Sequence, residues 1–247
     1  HLLPPGPEIQ AYFQQVADER GIQGHIKFGT EVISARYDDG RWLLTTTHGE
    51  ETFDVLVTAT GVLRVPRCPD IPGEADFAGP VFHSSRWDHS VSLADKRIGL
   101  IGTGSTGIQI IAALGGKVDR LTTFQRTAQW VFPLPNPRYS PVIRAALTRW
   151  PVLNRLSYRF WGLVVRHLFG RAPIRPGVYR RLVQTLCRWN LRLSVRDPQL
   201  RARLTPNYQP MCKRQIMAWG FYRAVQQPGV EVVSEAIDHI EPLGVVT

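Results

Sequence analysis

Apolar residues recur at helical spacing near the start of the chain. Ile9, Tyr12, Phe13 and Val16 share one face between Pro7 and Arg20, and Gly21 follows as a stop signal. The period then shortens. His25 to Phe28, Glu31 to Tyr37, Arg41 to Thr47 and Thr52 to Thr58 are β-rich runs, separated by turn signals at Asp38-Asp39-Gly40 and His48-Gly49-Glu50. They predict strands and a hairpin, the last run ending in Ala59-Thr60-Gly61. From Val62 to Gly79, Pro66, Pro69, Pro72 and Gly73 break any pattern, as in an interdomain linker.

After the linker, Lys96 to Ile101 reads as a continuous apolar strand, Ile108 to Leu114 as a helix and Arg120 to Gln125 as a second strand. That order predicts a βαβ unit with a parallel sheet. Pro141 to Leu200 is helical in pattern, with breaks at Pro151, Pro173, Pro176 and Pro198. Val230 to Val233 returns to β character, and Ala236 to Val246 predicts a hairpin turning at Pro242-Leu243-Gly244. The fold class is therefore α/β, with a Rossmann-like domain and a helical insertion.

Charge changes the picture in one region. The formal net charge is +10, but Arg138 to Leu204 holds 15 Arg, no Lys and a single acid, Asp197, so the rest of the chain is net acidic. The Trp- and Arg-bearing run from Trp150 to Phe169 suits an anionic membrane surface, apolar face down. The favoured reading is a helical subdomain that packs on the βαβ domain with Arg on its wet face, peripheral membrane contact being the lesser alternative. Nucleic acid is set aside, because no recognised binding module is present. The chain has no 18-residue apolar run and the N-terminus lacks signal-peptide character, so a cytoplasmic location is expected, with membrane association only through that basic insertion. Cys68, Cys187 and Cys212 are odd in number and far apart, which supports neither a disulfide framework nor a zinc site.

The strongest chemical signal is Gly102-Thr103-Gly104-Ser105-Thr106-Gly107, a GxGxxG placed between an apolar strand and a helix. Gly102 permits the tight turn, Gly104 lets backbone approach a pyrophosphate, and Gly107 allows close helix–strand packing. The second strand ends in Phe124-Gln125-Arg126-Thr127. An acid there would bind the ribose 2′-OH of NAD; Arg126 can instead fork two N–H donors onto a 2′-phosphate and Thr127 can add a hydroxyl, so NADP(H) is expected.

Upstream of that loop stands Phe77-Ala-Gly79-Pro-Val-Phe-His83-Ser-Ser-Arg-Trp87-Asp88, which reads FxGxxxHxxxWD. This string resembles the fingerprint of the flavin-dependent Baeyer–Villiger monooxygenases. Ala59-Thr60-Gly61, Leu204-Thr-Pro-Asn-Tyr208 and Cys212-Lys213-Arg214 resemble further segments of the same family, and the likeness spans nearly the whole chain, more loosely through the helical insertion. It implies NADP(H) and FAD as cofactors, O2 and a ketone as substrates, and an ester or lactone as product. It also implies catalytic roles for His83 and Trp87 of the fingerprint, Lys213 as a second contact to the 2′-phosphate, and Arg214 as the active-site cation. A guanidinium is suited to that role because it stays charged and can stabilise an oxyanion.

Under the resemblance, residues 1–62 would be the remainder of a flavin-binding domain, 63–92 a linker with the fingerprint, 93–137 and 205–235 the NADP-binding domain, 138–204 the helical insertion, and 236–247 the start of a return to the flavin domain. Gly220 stands where the family often has an acid. A second GxGxxG for FAD is absent, as is the acid that would orient Arg214, and the chain begins at His1 and ends at Thr247 within a strand-like run. A piece of a longer protein is therefore expected, inactive by itself. The aromatic and Leu-rich insertion leans toward bulky apolar ketones. Two rivals remain: a flavin monooxygenase that oxygenates nitrogen or sulfur, against which Trp87-Asp88 argues, and a non-catalytic NADP-binding or membrane-associated module.

Overall fold

The computed structural model describes residues 3–61, 63–174 and 177–247, and the chain divides into two compact units, His1–Val65 and Pro66–Thr247. In the first unit, helix α1 (Gly6–Glu19) has Pro7 in its first turn, where a missing N–H costs nothing. A 3₁₀ turn (Ile22–His25) leads to an antiparallel meander of β1 (Val32–Asp38), β2 (Arg41–Thr46) and β3 (Gly49–Phe53). Asp39 and Gly40 both take positive φ, 45° and 77°, which lets a two-residue turn follow the twist of the flanking strands. Across that hairpin Tyr37 faces Trp42, ring centroids 5.3 Å apart.

Three local expectations are corrected here. His25 to Phe28 is not a strand; it finishes the 3₁₀ turn and enters a bend at Gly29, whose φ is +65°. The second turn lies at Thr47-His48 rather than at His48-Gly49-Glu50, because the Thr46 hydroxyl donates to the Gly49 carbonyl (2.9 Å) and accepts the His48 amide (3.1 Å). The run expected to be a strand to Thr58 leaves the sheet after Phe53, and Val55 and Val57 are largely exposed. A strand persists only where a neighbour takes its amides and carbonyls, and this run has no such neighbour among the described residues.

The second unit carries the βαβ core. Strand β4 (Arg97–Ile101), helix α2 (Ser105–Leu114) and β5 (Arg120–Phe124) follow one another, and β8 (Val230–Val233) completes a parallel sheet in the order β4-β5-β8. Between β5 and β8 the chain forms β6 (Val131–Pro133), α3 (Pro141–Arg149), α4 (Pro151–Val164), a π-helical turn (Val165–Gly170), α5 (Val178–Ser194), α6 (Pro198–Arg203), β7 (Ile216–Ala218) and the short α7 (Phe221–Ala224). The helix starts follow their sequence signals. Ser140 accepts the Ile143 amide ahead of Pro141, and Asp197 accepts the amides of Gln199 and Leu200 around Pro198. The short parallel ladder of β6 with β7 pairs residues about 85 positions apart and had no periodic signal.

Ile108 and Ile111 of α2 are wholly buried and pack with Leu121, Val232, Phe221 and Tyr222, while Leu191 and Val195 bring the end of α5 into the same core. A second cluster gathers Trp130, Val183 and Cys187, with Phe132, Leu168, Tyr208 and Met211 against it. Burial pushes the Cys187 thiol up to about 12, so this cysteine is a neutral packing group. The expected hairpin is β9 (His239–Glu241) with β10 (Gly244–Val246). It is stitched to the fingerprint segment: the Ile240 amide donates to the Pro72 carbonyl (2.8 Å) and the Ala78 amide to the Pro242 carbonyl (3.0 Å). Gly73 lies so close to the Ile240 carbonyl that a Cβ there would collide with it. No helix of the described residues is long and apolar enough to cross a membrane.

The buried face of α2 sets a stability prediction. In the whole protein, Ile111→Ala should cost about 2–5 kcal/mol in denaturant unfolding, whereas Val142→Ala on the exposed face of α3 should stay within about 0.5 kcal/mol of wild type.

Candidate functional site

The glycine loop occupies the carboxyl end of β4, where open parallel sheets leave a crevice for ligands. Gly102 has φ +106°, a conformation that L side chains rarely adopt, and its amide donates to the Phe124 carbonyl (3.1 Å), tying the loop to the end of β5. Gly107 is packed so tightly that a Cβ would collide with the Gly102 carbonyl, whereas a Cβ on Gly104 would meet nothing within 4 Å. The two glycines therefore do different work. Gly107 closes the helix onto the strand; Gly104 keeps open the space in front of the helix.

Helix α2 begins directly at that space. No side chain caps it and no acid lies in its first turn, so its first amides and the positive end of its dipole face outward. Such an end can hold a pyrophosphate. Ser105 and Thr106 are exposed there, while Thr103 is buried and its hydroxyl donates to the Thr127 carbonyl (3.3 Å). Thr127 and the exposed Arg126 follow β5 directly, and Arg126 makes no hydrogen bond or ion pair among the described residues. Its guanidinium is thus available just past the end of β5.

The loop 205–215 reaches the same place from far along the chain. The Trp130 indole donates to the Tyr208 carbonyl (2.8 Å), and the Tyr208 hydroxyl donates to Gln129 Oε1 (2.9 Å). Gln129 Nε2 in turn donates to the Thr127 carbonyl (3.4 Å). The Lys213 ammonium sits over the Tyr208 ring, 4.7 Å from its centroid. Burial raises the Tyr208 phenol above its ordinary value, which keeps it a neutral donor. Downstream, Gln215 Nε2 donates to the Trp130 carbonyl (2.6 Å). Met211 takes φ +69° while packing into the Trp130 cluster, so the turn before Lys213 is imposed by tertiary contacts. Arg214 is exposed beside Lys213 and makes no hydrogen bond or ion pair among the described residues.

Helix α5 underlies this loop. Arg180 Nη1 donates to Gln209 Oε1 (3.1 Å), and the Arg188 guanidinium lies over the Trp130 ring at 5.8 Å. The residues that build the loop's seat (Gln129, Trp130, Tyr208, Gln215 and Arg180) were not foreseen as functional. Their partners are up to 85 positions away, and no local spacing marks them.

His83 and Trp87 lie apart from this network. His83 caps a 3₁₀ turn (Ser84–Arg86), its Nδ1 accepting the Ser85 amide (3.1 Å) and lying 2.8 Å from Ser85 Oγ. Trp87 packs edge-on against Phe82, ring centroids 5.2 Å apart. Bonds from the side chain and backbone of Ser90 hold the Asp88 carboxyl below its ordinary value. Among the described residues neither His83 nor Trp87 makes a hydrogen bond to the glycine loop; they shape the segment that leads into β4.

A profile of flavin-binding monooxygenase-like proteins matches residues 5–141. The chain belongs to the flavin-binding monooxygenase-like family. Within that family it is 52% identical, over its whole length, to half of an uncharacterised monooxygenase of Mycobacterium tuberculosis (strain ATCC 25618 / H37Rv). It is 40% identical over 94% of its length to 45% of a Baeyer–Villiger monooxygenase of Streptomyces coelicolor. Among solved structures, OTEMO in complex with FAD and NADP superposes with a TM-score of 0.79 at 28% identity, covering 98% of this chain and 53% of that one. The chain thus spans about half the length of the curated relatives it matches. The α/β fold read from the sequence is the fold of this flavin-binding monooxygenase-like family.

The two inner glycines give separable tests. Gly104→Ala should leave the melting temperature of the whole protein within about 1 °C of wild type while weakening NADPH binding by roughly tenfold or more. Gly107→Ala should lower the melting temperature itself, because its Cβ has no room. Thermal denaturation paired with NADPH titration reads both.

Proposed function

We propose that the chain is the NADPH-binding part of a flavin-dependent monooxygenase that carries out Baeyer–Villiger oxidation. The observation that supports this best is a pair of cations without an acidic partner among the described residues: Arg126 just past β5, and Lys213 over the Tyr208 ring, which Gln129 ties to Thr127 beside the glycine loop. A dinucleotide laid on the amino end of α2 would bring its adenosine ribose to that strand end, where a 2′-phosphate can accept from a guanidinium and an ammonium. Gly102, Thr103, Gly104, Ser105, Thr106 and Gly107 would cradle the pyrophosphate, and Thr127 would add a hydroxyl. Arg214, exposed next to Lys213, is the candidate cation for anionic oxygen during the reaction.

The balanced reaction consumes NADPH, a proton, O2 and a ketone, and yields NADP+, water and an ester or lactone. When bound, FAD would supply the hydride acceptor and the means of activating O2 for transfer of one oxygen atom to the ketone. The domain assignment that accompanies this reading gives 93–137 and 205–235 to NADP, 138–204 to a helical insertion, 63–92 to a linker in which His83 and Trp87 shape the entry to β4, and 1–62 and 236–247 to the flavin-binding part. OTEMO's complex with FAD and NADP and the Streptomyces relative's Baeyer–Villiger activity support the cofactors and the reaction class.

The test uses the purified whole protein. It should be yellow, oxidise NADPH faster with ketones than with sulfides or amines, and yield a product heavier than the ketone by one oxygen atom. A colourless protein, or one that oxygenates sulfides and amines while leaving ketones untouched, contradicts the proposal.

A further inference from the structure

We infer that Tyr208 is a positioning residue that holds the Lys213 ammonium over its ring, which Gln129 ties to Thr127 past the end of β5, and so sets the preference for a 2′-phosphorylated dinucleotide. This rests on the reading of Lys213 as a phosphate contact.

A lysine on a surface loop has four rotatable side-chain bonds, and fixing its ammonium at one point costs rotamer entropy. A carboxylate partner would hold it but would also neutralise it and repel an incoming phosphate. The ring of Tyr208 avoids both effects. Its negative face attracts the ammonium at 4.7 Å, and the ring carries no net charge to oppose a phosphate. No acid forms an ion pair with Lys213 among the described residues.

The ring itself is fixed from two sides. Its hydroxyl donates to Gln129, and its backbone carbonyl accepts from the Trp130 indole, which is buried. Gln129 is bonded to the Thr127 carbonyl, the same atom that receives the Thr103 hydroxyl from the glycine loop. An unbroken run of contacts therefore leads from the pyrophosphate cradle to the ammonium. It gives the loop 205–215 a defined register against Thr127.

The experiment measures dissociation constants for NADPH and NADH on the whole protein with Tyr208→Leu, Tyr208→Phe and Lys213→Ala. Lys213→Ala should lower the preference for NADPH, and Tyr208→Leu should lower it about threefold to tenfold with NADH affinity unchanged. Tyr208→Phe, which keeps the ring, should retain a preference within about twofold of wild type. If Tyr208→Leu does not fold, Tyr208→Met replaces it, since the backbone carbonyl that binds Trp130 is kept. An undiminished preference in Tyr208→Leu, or equal loss of both coenzymes, overturns the role of Tyr208 while leaving that of Lys213 intact. An unchanged preference in Lys213→Ala overturns the phosphate assignment, and this inference with it.

Discussion

The hydrogen bond from the Trp130 indole to the Tyr208 carbonyl, 2.8 Å long and buried beside Val183 and Cys187, fixes where two distant parts of the chain meet. It joins the continuation of β5 to the loop 205–215 and brings Tyr208 against Gln129 and Lys213 over Tyr208. Breaking one partner of a buried pair leaves the other desolvated and unsatisfied, which costs about 1–3 kcal/mol. The register of the cation-bearing loop is thus coupled to the packing of the core. Helix α5 supplies the floor of that arrangement through Val183, Cys187 and Arg180, so the Arg-rich helical stretch has a structural part in seating the loop 205–215.

The parts of the molecule legible in the sequence are those decided by short-range physics. The glycine loop could be read because turn, anion approach and helix packing each demand glycine at a fixed offset, and the structure shows two of those demands as a positive φ at Gly102 and a blocked Cβ at Gly107. The helical pattern from Pro141 and its breaks at Pro151 and Pro198 were likewise legible, and each of these prolines opens a helix. What could not be read is non-local. The three-residue ladder of β6 with β7, the seat of Tyr208 and the stitch between Pro72 and Ile240 depend on residues tens to more than a hundred positions apart, for which a single chain carries no periodic signal.

The misread strands of the first unit have a related cause. Val55 and Val57 alternate as a half-buried strand would, yet they stand exposed, as do Tyr12 and Phe13 on α1. Periodicity reports which face wants burial and not whether a neighbour is present to provide it. In that unit Leu44 and Thr46 are the buried residues among those described.

Under the proposed function, the strand end beside the glycine loop selects a 2′-phosphate. Calorimetric titration of the whole protein with 2′,5′-ADP and with 5′-AMP tests it without involving hydride transfer or any third substrate. The account predicts that 2′,5′-ADP binds at least about tenfold more tightly, a difference of about 1.4 kcal/mol, with the advantage shrinking as ionic strength rises. Equal affinities for the two nucleotides would contradict it.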